Sequence, residues 1–300
     1  MEVSSTSGDT QNRTWSGLNG SWMKIDSHQH FWRYDAARDA WITDSMALLK
    51  RDFLPEHLAP ELAANGIDAS IAVQAGQSEN ETVFLLQLAE QTKQITGVVG
   101  WVDLLSPHVV DRLEYFSQFP KLRGIRHIAQ AEPDDRFLAR EDFVQGIAQL
   151  SAFGLTYDIL IYPQQLPAAI DLVARFPGQR FVVDHLAKPQ IKSGRTSPWA
   201  ALLTEIAENK NVFCKISGLV TEADWKHWKA DDFKPYLDVV FNAFGPDRVM
   251  FGSDWPVCLL AATYAEMKGL INGYVSVFSQ SDQDKFFGGN AAHFYGLKTA

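Results

Sequence analysis

The chain has 300 residues, 46% of them hydrophobic and 21% charged, which is apolar material for one large core at a length normal for a single α/β barrel. A formal net charge of −9 excludes the clustered basic footprint of a nucleic-acid binder and the cationic face of a membrane-surface helix. No apolar run approaches the ~20 residues that span a bilayer, and two cysteines, Cys214 and Cys258, imply neither a disulfide framework nor a Cys-based zinc site.

Residues 1–22 are rich in Ser, Thr, Gly and Asn and carry no apolar segment behind a basic start. They are expected to form a flexible extension, neither signal peptide nor membrane anchor, on a cytoplasmic protein. At Met23 the pattern changes abruptly to MKIDSHQHFW, the expected start of one domain over 23–300. Short β-branched runs then alternate with amphipathic stretches. Strands are predicted at KIDSH (24–28), SIAVQ (70–74), GVVGWV (97–102), GIRHI (124–128), YDILIY (157–162), RFVVDH (180–185), VFCKIS (212–217) and RVMFGSD (248–254). Near-continuous apolar runs of this length suit parallel strands buried on both faces.

Helices are predicted between them. Leu54, Leu58 and Leu62 share one face that stops at Gly66, and Phe143, Ile147 and Leu150 share another that stops at Gly154. Ser197 and Pro198 form an N-cap and first-turn pair for a helix through Ile206. About eight strand–helix units in series, with no linker, predict a closed (β/α)8 TIM barrel. A doubly wound sheet would place a Gly-rich phosphate loop after its first strand, where this chain has DSHQHFW.

In such a barrel the reactive groups gather at the C-terminal ends of the strands. Strand one ends in His28-Gln29-His30, and strand alternation turns both histidines to one side. Strand four ends in Arg126-His127, strand six in Asp184-His185, strand seven carries Lys215 and strand eight ends in Asp254. Each has an ordinary structural explanation when taken singly. Several imidazoles and a carboxylate converging on one barrel mouth, however, would be costly to bury without a use. These are the groups that bind a divalent metal, activate water or move protons.

HxH on strand one, His on strand six and Asp on strand eight resemble the amidohydrolase superfamily. The strings DSHQHFWRY, SIAVQA, VVGWVDL, KLRGIRH, CKISGLVTEADW and MFGSDWPVCLLAATY resemble its sugar-lactonase branch, from Met23 to about Tyr295. The resemblance implies a cytoplasmic hydrolase of carbohydrate metabolism that opens a sugar-acid lactone, L-fucono-1,5-lactone or a close analogue. Two departures bear on metal use. The strand-five segment TYDILIYPQQ lacks the histidine of mononuclear metal-dependent relatives, and GIRHIAQ lacks the bridging Lys or Glu of binuclear ones. Pyrone-dicarboxylate lactonases of the same branch work without metal. The expectation is that no cofactor is required, with a single zinc ion on His28, His30 and Asp254 as the alternative.

Ester hydrolysis needs a base for water and donors for the oxyanion. The resemblance and this requirement together assign Asp254 as the base, with His28, His30 and His185 polarising the carbonyl and holding the water. Arg126, His127 and Lys215 are the candidates to meet polar groups of the substrate, and Trp32, Trp101 and Trp255 to meet sugar C–H faces. Only Arg126 is a clear strand-end arginine, which favours a weakly charged sugar lactone over a dicarboxylate. The rival readings are a pyrone-dicarboxylate lactonase of aromatic catabolism and a catalytically inactive sugar-acid-binding barrel. The sequence leaves ring size, sugar configuration and oligomeric state open.

Overall fold

The computed structural model of the protein describes residues 23–297. The predicted extension, 1–22, and the last three residues lie outside them. Eight apolar runs become eight parallel strands: β1 (Ile25–Gln29), β2 (Ala69–Val73), β3 (Ile95–Gly100), β4 (Leu122–His127), β5 (Thr156–Ile159), β6 (Phe181–Val183), β7 (Val212–Ile216) and β8 (Val249–Phe251). Each pairs with the next in chain order. Apart from one position in each of β3 and β4, every strand residue is buried, as a parallel sheet covered on both faces requires.

The sheet closes where β1 meets the segment after β8. The His30 amide donates to the Trp255 carbonyl at 2.7 Å, and the Asp254 amide to the His28 carbonyl at 2.8 Å. Beneath them, Ser27 Oγ donates to the Phe251 carbonyl at 2.6 Å, and Asp26 Oδ1 accepts the Ser253 amide at 2.9 Å. The seam that closes the barrel therefore also carries the HxH motif and Asp254, which ties the site to the fold.

Outer helices alternate with the strands: α1 (Pro55–Ala64), α2 (Glu79–Gln91), α3 (Val109–Ser117), α4 (Glu141–Leu150), α5 (Leu166–Arg175), α6 (Trp199–Ile206), α7 (Ala230–Phe244) and α8 (Tyr264–Val275). They lay apolar faces on the sheet, for example Phe143, Ile147 and Leu150 from α4. Gly66 and Gly154 take φ of +61° and +68° just past the helices they were expected to end. Among the described residues, no helix is long and apolar enough to cross a membrane.

The structure differs from the sequence reading at element ends. β6 stops at Val183 and β8 at Phe251, so Asp184-His185 and Asp254 leave the ladder instead of ending it. The reason is backbone conformation, since His185 and Asp254 have φ of 52° and 59°, outside any strand. The helix after Ser197 begins at Trp199, with Pro198 as N-cap and no side-chain capping bond, so Ser197 does not cap it.

Candidate active site

At the C-terminal mouth, a cavity of about 260 Å³ is lined by His30, Trp32, Trp41, Arg126, Gln130, His185, Lys188, Asp254 and apolar neighbours. A larger groove of about 720 Å³ between α7 and α8 lies on the outer helix layer, away from the strand ends.

The imidazoles and Asp254 do converge. His28 Nε2 lies 3.2 Å from His30 Nε2. Asp254 Oδ1 lies 3.3 Å from His30 Nε2, 3.8 Å from His28 Nε2 and 3.9 Å from His185 Nε2. Two glycines make room for this cluster. A Cβ on Gly252 would stand 2.7 Å from His28 Cβ, and one on Gly218, whose φ is +62°, would stand 2.6 Å from His185 Nδ1.

Hydrogen bonding fixes part of the proton inventory. His30 Nδ1 lies 2.8 Å from the Val73 carbonyl, which can only accept, so Nδ1 carries the proton and Nε2 presents a lone pair to Asp254. Two acceptors facing each other at 3.3 Å need a cation between them, either a proton or a metal ion. The edges His28 Nε2–His30 Nε2–Asp254 Oδ1 are 3.2, 3.3 and 3.8 Å. A tetrahedral ion with bonds of ~2.1 Å has edges of ~3.4 Å, so the three groups fit one divalent ion as well as a proton.

Charge sets the protonation of the rest. Burial works against the charge on Asp254, but the charge of His185 and the hydrogen bond from His30 override it and hold the carboxyl well below the usual carboxylate range. Burial drops His185 to about 4 against the pull of Asp254, and its Nδ1 is anchored 2.8 Å from Ser217 Oγ. His28 is pushed well down by burial, with Asp184 opposing. At neutral pH the site thus offers an ionised carboxylate beside two neutral imidazoles.

Beneath this layer lies a buried ionic floor. Lys215 Nζ sits 2.5 Å from Asp158 Oδ2, 3.0 Å from Asp184 Oδ1 and 3.2 Å from His28 Nδ1. Tyr295 donates to Asp158 at 2.8 Å, and Arg126 Nη1 donates to Asp184 at 2.9 Å. Burial raises Asp158 to about 6 against the Lys215 charge, whereas Lys215, followed by His28 and Arg126, outweighs burial at Asp184 and keeps it ionised. Counting Asp254, two cations face three carboxylates, so the mouth favours a further cation over an anion.

The expected substrate-facing residues divide. Arg126 and Trp32 line the cavity, although Arg126 spends its N–H groups on Asp184 and on Gln74, with Nη2–Oε1 at 2.9 Å. Lys215 is fully buried under His28 and does not reach the cavity. His127 faces outward: strand alternation sends it to the helix layer, where it stacks on Phe137 at 4.8 Å and binds Glu132 at 2.6 Å. Trp255 is buried edge-on against Phe53 at 5.3 Å. Trp101 is held to α2 by its backbone, its amide 2.8 Å from Thr82 Oγ1, and does not line the cavity.

Trp41, Lys188 and Asp158 were not anticipated. Asp158 had a legible signal, a carboxylate inside the buried strand TYDI. Trp41 lies in the long β1–α1 connection, where sequence pattern specifies no direction. Lys188 ends a run of left-handed residues, His185 to Lys188, that contains no glycine to announce it. Among the described residues, the positive-φ non-glycines are these four and Asp254, all at the mouth. Such conformations cost ~1–2 kcal/mol each, least for Asp, so strain is concentrated at the site.

The chain is similar to known proteins over most of its length. The amidohydrolase family matches residues 25–297. An L-fucono-1,5-lactonase of Burkholderia multivorans is 44% identical over 92% of this chain and 96% of its own. One of Burkholderia ambifaria is 36% identical over 91% of this chain and 95% of its own. A crystal structure of a Burkholderia multivorans amidohydrolase with bound zinc superposes with a TM-score of 0.88 at 44% identity, covering 92% of this chain and 100% of that one. With its (β/α)8 barrel, its HxH pair and Asp254 at one mouth, and this family match over nearly all described residues, the chain belongs to the amidohydrolase family.

Proposed function

We propose that this chain is a lactonase that opens a sugar-acid lactone, L-fucono-1,5-lactone or a close analogue, to the free acid. The observation that carries this reading is an ionised carboxylate, Asp254, set between two imidazoles, His30 and His185, that line the same cavity, with the other cavity charges balanced. Arg126 is paired with Asp184 at 2.9 Å, and Lys188 faces Glu222 at 3.6 Å. A pyrone dicarboxylate would bring two negative charges to a cavity in which both cations already face carboxylates. A neutral, hydroxylated lactone carries no such penalty. The activity of the two Burkholderia relatives supports the same substrate class.

In the mechanism, Asp254 accepts a proton from water as the water oxygen bonds to the ring carbonyl carbon. His185, uncharged at neutral pH, holds the water and polarises the carbonyl from the cavity wall, whereas His28, fully buried and not lining the cavity, positions His30 and Asp254 from behind. When the ring C–O bond breaks, Asp254 returns the proton to the departing oxygen, leaving a hydroxy acid. The floor of Lys215, Asp158 and Asp184 fixes His28 from below through its Nδ1. His28, His30 and Asp254 would hold a divalent ion such as zinc, which when bound supplies Lewis acidity toward the carbonyl. This reading routes no step through a metal, because Asp254 itself takes the proton from water and returns it to the leaving oxygen.

A pH-indicator screen of aldono-1,4- and 1,5-lactones, run beside a pyrone dicarboxylate, tests the proposal. Acid release is expected to be fastest from L-fucono-1,5-lactone and its five-carbon analogues. Release at the buffer rate with rapid turnover of the pyrone would assign the chain to aromatic catabolism. Turnover of neither, with tight binding of sugar acids, would make it an inactive binding barrel.

A further inference from the structure

Lys188 enters the cavity by an unusual route. It closes the run His185, Leu186, Ala187, Lys188, with φ of 52°, 56°, 55° and 49°. The turn sends His185 and Lys188 to the cavity while Leu186 and Ala187 are fully buried in the core. Four successive left-handed residues without a glycine persist only where surrounding structure enforces them, and such strain clusters where placement of a side chain is used.

The surroundings of the ammonium narrow that use. Its nearest carboxylate oxygen, Glu222 Oε1, is 3.6 Å away, which balances the charge and engages at most one of the three ammonium donors. The Tyr162 ring centroid is 5.6 Å away. Among the described residues, Lys188 Nζ has no acceptor other than Glu222, so at least two of its three donors are unspent. Arg126, in the same cavity, has its guanidinium committed to Asp184 and Gln74. A cation with balanced charge and unspent donors suits a neutral oxygen acceptor better than a second carboxylate. Trp32 and Trp41 line the same cavity and offer apolar surface for C–H groups, the usual complement of a hydroxyl donor in carbohydrate binding.

Resting on the lactonase reading, we infer that Lys188 is a specificity-determining residue that donates a hydrogen bond to a ring or side-chain hydroxyl of the sugar lactone. Selection of a polyhydroxylated lactone over a bare cyclic ester then depends on it. Asp254 and the histidines act on the ester group common to both.

The test compares L-fucono-1,5-lactone with δ-valerolactone, which has the same six-membered ester and no hydroxyl; the latter is followed as a substrate or as a competitive inhibitor. In Lys188→Met the preference for the hydroxylated lactone, taken as the ratio of kcat/KM values or of affinities, is expected to fall about 10- to 100-fold, mainly through KM. Lys188→Arg, which keeps a charged donor, should recover part of that preference. An unchanged ratio overturns the assignment, whether both ligands weaken together or neither does. Because the ratio is internal to each variant, partial loss of folded protein does not mimic the expected result. Failure of the unmodified chain to open the hydroxylated lactone would overturn the lactonase reading, and this assignment with it. An unchanged ratio in an active enzyme overturns the assignment alone.

Discussion

Replacing Asp254 with Asn removes the proposed base while leaving its outline. The backbone at this position has φ of 59°, a conformation that Asn tolerates as well as Asp does. The amide bond to the His28 carbonyl at 2.8 Å does not depend on the side chain. An amide N–H in place of Oδ1, 3.3 Å from His30 Nε2, can keep a hydrogen bond across this gap. Stability should therefore change by no more than about 1 kcal/mol, about 2–4 °C in Tm for a domain of this size. Catalysis should change far more. Loss of a general acid–base group lowers kcat by ~10²–10⁴-fold, about 3–5 kcal/mol of barrier. The assay is initial-rate hydrolysis of the preferred lactone, paired with a thermal melt. The wild-type pH profile supplies a second readout. A carboxyl held below its usual range stays ionised until the medium is strongly acidic, so kcat/KM should be level between about pH 5 and 8. It should decline only near and below about 4, where His185 and then Asp254 take up protons. A folded Asn variant retaining more than about a tenth of the wild-type kcat would refute the assignment of Asp254 as base.

Three further outcomes follow from the same geometry. Lys215→Met leaves Asp158 and Asp184 buried without the ammonium between them and should cost about 3–5 kcal/mol. Because Asp158 already sits near 6 with Lys215 in place, its protonation relieves the repulsion, so the loss in Tm should be larger at pH 8 than at pH 5; equal losses would contradict the floor described above. Gly218→Ala places a Cβ 2.6 Å from His185 Nδ1 and should displace that ring, lowering kcat/KM at least about tenfold, with unchanged kinetics as the contrary result. Exhaustive chelation is expected to leave most turnover intact; abolition that zinc or manganese reverses would make His28, His30 and Asp254 obligatory ligands.

Much of this protein follows from local pattern. Apolar runs of five to seven residues separated by amphipathic stretches specify buried parallel strands and covering helices, and eight of them specify a barrel, because period and length are properties of the chain alone. The alternation of β1 likewise fixes His28 and His30 on one side. What the chain alone leaves open is depth and environment at the strand ends. Alternation along β4 does separate the adjacent Arg126 and His127, one lining the cavity and the other stacked on Phe137 in the helix layer, but it does not say how deep either lies or what it meets. Lys215 and Lys188 look alike as charges. One lies wholly buried beneath His28 and the other reaches the cavity through four left-handed residues. These outcomes depend on which carboxylates the closed barrel brings beside each cation and on strain that only the packed structure can impose. Periodicity carries no record of either, and so the tertiary structure decided which charges support the site and which face its ligand.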